Sequence, residues 1–125
     1  MKRVLTLSAL PHTWILDIDG TVFKHNGYKT DGHDTLLPAT KEFISSLPKD
    51  DMIIFITSRT EEYRQMTERF LRENAIRYDA LICGAPAGER ILINDEKPRG
   101  LNSAKAICTK RDEGIDLGVA IDDAI

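Results

Sequence analysis

A chain of 125 residues that is 42% hydrophobic fits one domain, residues 1–125, with a modest core. Its net charge of −3 argues against a broad polyanion-binding surface, and its two cysteines are too few for a disulfide framework. No apolar run is long enough to span a bilayer, so no membrane partner is expected.

Lys2 and Arg3 followed by residues 4–10 have the outline of a leader, but Pro11 and His12 interrupt it and no small-x-small cleavage site follows. Cys83 and Cys108 read as free thiols of a reducing compartment, so a cytoplasmic location is expected.

Trp14, Ile15 and Leu16 then form an apolar run that ends in Asp17-Ile18-Asp19-Gly20-Thr21. Strand geometry puts Asp17 and Asp19 on one side, and the second turns away once the strand ends, with Gly20 permitting the sharp exit. Two acids so close repel unless a cation lies between them, and Mg2+ is the natural choice for oxygen ligands. One carboxylate can attack phosphorus while the other manages protons. An EF-hand loop also begins Asp-x-Asp, but its fifth and twelfth positions here hold Thr21 and Tyr28. A plain Asp-Gly turn gives no reason for the second acid.

Asn26-Gly27 is a tight-turn signal flanked by residues 23–25 and 28–30, and predicts a small β-hairpin flap beside the acids. His25 or Tyr28 at its tip would reach substrate. Asp31, His33 and Asp34 read as solvated loop residues, since their spacing matches no metal-ligand motif.

Helical periodicity predicts helices over residues 38–47, 61–74 and 101–109. Residues 52–56 are a continuous apolar run, as in a strand buried on both faces, ending at Thr57-Ser58-Arg59. A hydroxyl at a strand end before a helix suits phosphate, and Ser58 or Thr60 would also cap that helix. Residues 78–83 and 90–93 predict two more strands, the latter ending at Asn94 and Asp95. Residues 118–125 read as surface or edge structure. Strands alternating with helices predict a doubly wound, mostly parallel sheet with helices on both faces.

The Asp-x-Asp-Gly-Thr motif resembles the first motif of the haloacid dehalogenase superfamily of phosphatases. The resemblance runs from Trp14 to about Ala106 and implies a small capless member with the Rossmann-like fold of that family. It implies a Mg2+-dependent phosphatase in which Asp17 is the nucleophile and Asp19 the acid and base. Asp17, Asp19, Asp95 and Asn94 would surround the metal. Thr57 would bind a phosphoryl oxygen, with Gly20, Thr21, Ser58, Arg59 and His25 at the substrate.

Two positions depart from the family pattern. Asn94 replaces the first of a frequent acid pair, and Gly84-Ala85-Pro86 replaces a Gly-Lys-Pro stretch, leaving Lys97 to supply the missing charge. The substrate reading is a small phosphorylated metabolite such as a sugar phosphate. The alternatives are a nucleic-acid 3'-phosphate end, and a catalytically impaired domain that only binds a phosphate ligand. A capless site would be open to large substrates or to a neighbouring subunit of a homo-oligomer.

Overall fold

The computed structural model describes residues 3–125, so Lys2 of the leader-like stretch lies outside the described residues. Five strands occur in this order: β1 (Arg3–Leu7), β2 (Thr13–Asp17), β3 (Met52–Ile56), β4 (Ala80–Ile82) and β5 (Leu117–Ile121). Between β2 and β3 lie α1 (Gly27–Thr30) and α2 (Thr40–Ser46). A 3-10 turn, Glu61–Tyr63, leads into α3 (Arg64–Glu73) between β3 and β4. The chain is a small α/β protein whose strand pairs are all parallel.

The strands fall into two sheets, β2-β3-β4 and β1-β5, where the sequence predicts one. In the larger sheet Asp17 is in register with Ile56, and Ile56 with Ile82, which brings the C-terminal ends of the three strands together. That is the edge where an open parallel sheet presents its ligand site.

Strand alternation divides this sheet into two unlike faces. Leu16, Ile53, Phe55 and Leu81 join Phe43 and Ile44 of α2 and Leu71 of α3 in the core. On the opposite face Ile15, Met52 and Ile82 are 52%, 48% and 48% exposed, so that face carries no covering helix.

The helices predicted over 38–47 and 61–74 appear as α2, and as the 3-10 turn with α3. Neither Ser58 nor Thr60 caps the second. Thr60 precedes the 3-10 turn without a side-chain bond. The expected hairpin flap is instead the helical turn α1. Asn26 takes the left-handed conformation that a hairpin turn also uses (φ 54°). Its carbonyl then accepts from Lys29 and Thr30, while Phe23 is drawn into the core and bridges Asp19 and Leu36. Residues 90–93 and 101–109 form neither the strand nor the helix expected of them. Ile91 and Ile93 are 81% and 90% exposed.

The far ends of the chain meet in β1-β5, and residues 117–121 are therefore strand. Gly114 makes the return to β5 possible. Its φ is +80°, and a Cβ there would lie 2.1 Å from the Pro38 carbonyl oxygen. Gly114→Ala is expected to cost about 2–4 kcal/mol through overpacking and left-handed strain, read as a lowered denaturation midpoint.

Entry to β2 is fixed by buried Asp51. Its carboxylate accepts from the His12 amide at 3.0 Å, and lies 2.8 Å from both His12 Nδ1 and Trp14 Nε1. Burial alone would raise its pKa, but the Trp14 and His12 bonds outweigh that and hold it below the ordinary 3.8. A depressed folded pKa stabilises the fold above the unfolded value and ceases to do so as pH falls through the folded one. Asp51→Asn should therefore lower stability at neutral pH and flatten its loss below about pH 4, as followed by urea unfolding across pH.

Candidate functional site

Asp17 is the last residue of β2 and is half-buried. Beyond it the chain turns sharply: the amides of Val22 and Phe23 both donate to the Ile18 carbonyl, at 2.9 and 3.0 Å. Gly20, at φ +89°, completes the turn by donating to the Phe23 carbonyl. Only glycine suits this position, because a Cβ would also meet Arg111 Cγ at 3.2 Å. The turn separates the roles of the two acids.

Asp17 Oδ2 accepts from the Thr21 hydroxyl at 3.4 Å. Burial pushes its carboxyl pKa up, the Ile18 amide and the charge of Arg90 pull it back, and Asp19 pushes it up again; the net shift is upward. Arg90 was not singled out in the sequence. Its Nη1 donates to the Pro86 and Gly88 carbonyls at 2.7 and 2.9 Å, which holds the side chain against its own loop. That loop is tied to the end of β3 by Gly84 N–H to the Arg59 carbonyl and Ala85 N–H to the Thr57 carbonyl.

Asp19 turns the other way, onto Arg59. Nε of Arg59 donates to Asp19 Oδ2 at 3.0 Å and Nη2 to Oδ1 at 2.8 Å. The same guanidinium bonds Asp34 through Nη1 at 3.1 Å and Nη2 at 2.7 Å. Asp34 is buried, so its reading as a solvated loop residue is corrected. No local pattern announces a contact 25 positions away in sequence. Burial would loosen the proton of Arg59, but the bonds and charges of Asp19 and Asp34 hold it more tightly than in a free arginine.

Thr57 lies at the end of β3, 1% exposed, and its Oγ1 accepts from the Arg59 amide at 3.1 Å. Ser58 is exposed. The His25 amide donates to Asp112 Oδ1 at 2.7 Å, while its ring Nδ1 is enclosed without a partner. His25 thus sits where residues 111–112 fold back onto the turn, for the Asp112 amide also donates to the Gly20 carbonyl.

Asn94, Asp95 and Lys97 are exposed on the irregular segment. Asn94 Nδ2 bonds Ser103 at 3.3 Å, Ser103 Oγ bonds the Asp95 carbonyl, and Lys97 closes a turn with Gly100. No three His, Cys, Asp or Glu side chains among the described residues are grouped so as to hold a metal ion, so Asp95 is not brought to Asp17 and Asp19. A surface hollow lined by Ile44, Ser45, Leu47, Lys49, Ala75 and Arg77 contains none of these residues.

What the arrangement offers is one half-buried carboxylate facing an arginine, beside a second carboxylate held rigidly by another. Compared with family models, curated proteins and solved structures, the chain matches none.

Proposed function

We propose that this chain is a Mg2+-dependent phosphomonoester hydrolase acting through an aspartyl-phosphate on Asp17, on a small phosphorylated metabolite such as a sugar phosphate. The observation that carries the reading is the division of labour between the two acids. Asp17 stands at a parallel-strand end with its carboxylate toward Arg90, while Asp19, two residues on, is fixed by Arg59.

Asp17 attacks phosphorus, and the bond from phosphorus to the ester oxygen breaks as Asp19 gives that oxygen a proton. Each carboxylate oxygen of Asp19 gives only one of its two lone pairs to Arg59, so a site for the proton remains. Water then attacks the acyl phosphate, Asp19 takes its proton, and phosphate leaves with Asp17 restored. Arg90 replaces the lysine absent at Ala85 as the cation for the phosphoryl oxygens, with Thr57, Thr21 and the Gly20 turn around them.

The donor chemistry fits a hard divalent ion. The groups at the end of β2 are oxygens, and Asp17, Asp19 and Asp34 outnumber the charge of Arg59. Asp17 and the Asp19 carbonyl would hold Mg2+, joined by Asp95 with Asn94 beside it, and the ion would offset charge on the transferring group. For this, residues 90–95 add to the free edge of β2 and residues 101–109 cover its bare face, giving one doubly wound sheet. The exposure of Ile15, Ile91 and Ile93 supports that closure. Cys83 and Cys108 are free, in keeping with a cytoplasmic location, and no described helix is long and apolar enough to cross a membrane.

Phosphate release from a generic aryl phosphate, with Mg2+ and after chelation, tests the reading. Release that chelation removes is expected. A wild type with no release from this ester or from a panel of sugar phosphates and 3'-phosphorylated oligonucleotides would refute it.

A further inference from the structure

Arg59 follows Thr57 and Ser58, where a cation could reach a phosphoryl group, yet the structure leaves it no donor for that purpose. A guanidinium has five N–H groups. Nε serves Asp19, Nη1 serves Asp34 and Thr67, and Nη2 serves Asp19 and Asp34. Its plane is covered as well, with the Tyr28 ring centroid 4.0 Å from Cζ. Thr67 is itself anchored, donating from Oγ1 to the Tyr63 carbonyl at 2.8 Å at the start of α3. Arg59 is therefore a strut between elements.

We infer that Asp34 is a positioning residue for the hydrolase reading above: it fixes Arg59, and Arg59 in turn fixes the carboxylate of the acid and base, Asp19. The side chain of Asp34 is 1% exposed, so it makes no contact with substrate. Its loss frees one Nη1 and one Nη2 proton, and the fork gripping Asp19 is then no longer held from behind. A misplaced proton donor slows the chemical step and leaves ground-state binding alone.

The test is steady-state kinetics on an aryl phosphate with Mg2+, at a temperature where each variant is folded. Asp34→Asn keeps the shape but loses the charge and one acceptor oxygen. It is expected to lower kcat on the order of 10- to 100-fold with KM within about twofold. Thr67→Val, which removes a single acceptor from Nη1, is expected to lower kcat less, again without moving KM; it decides the matter if Asp34→Asn does not fold. An active wild type whose variants keep full kcat, or lose it through KM, overturns this inference alone. An inactive wild type overturns the hydrolase reading and the inference with it.

Discussion

Asp17→Asn is expected to abolish turnover, by at least about 10⁴-fold, while leaving the protein as stable as the wild type or more so. Asparagine preserves the shape at the end of β2 but cannot form the acyl phosphate. The stability half follows from the sign of the Asp17 shift. Burial raises its folded pKa, so the ionised carboxylate is the less favoured form inside the fold, and its stability contribution turns unfavourable as pH rises through the unfolded value. A neutral amide relieves that penalty. Kinetics and urea unfolding on the same preparation separate loss of chemistry from loss of fold. A variant that is inactive only because it is unfolded would count against the nucleophile assignment.

Arg59→Met is the substitution expected to cost the most stability. It leaves Asp34 buried without its cation and also uncouples Asp19, Thr67 and the stacked Tyr28. Removing one partner of a buried pair costs about 3–5 kcal/mol, a large part of the roughly 5–15 kcal/mol that holds a small domain folded. The double variant Arg59→Met with Asp34→Leu should recover part of the loss, since no buried charge is then stranded. Denaturant midpoints for the two single variants and the double one give the comparison. Equal midpoints for wild type and Arg59→Met would remove Arg59 from its structural role.

Local signals carried much of this organisation into the sequence. The apolar runs before Asp17 and Thr57 are strands because continuous branched and aromatic side chains suit a buried parallel sheet, and the stripe through Tyr63, Phe70 and Leu71 is helical. The signal at Asn26 and Gly27 was correct for a left-handed residue and wrong for a hairpin. Burying Phe23 prevents the flanks from pairing as alternating strands.

What was not legible depends on distance along the chain. Asp34 looked like any polar loop acid, and only the fold brings it to Arg59. β1 meets β5 across almost the whole sequence, a pairing no window could register. Ile91, Leu92 and Ile93 show the opposite failure. They carry strand propensity with no partner strand beside them, which is how local preference yields to tertiary context.

The central claim is that Asp17 forms a covalent bond to phosphorus. The most direct measurement is an acid quench during turnover of an aryl phosphate with Mg2+, followed by mass spectrometric mapping of the phosphoryl group. The account predicts an acid-trapped adduct on Asp17 of the wild type and none on Asp17→Asn. Phosphate release without an adduct on Asp17, undiminished in Asp17→Asn, would contradict it.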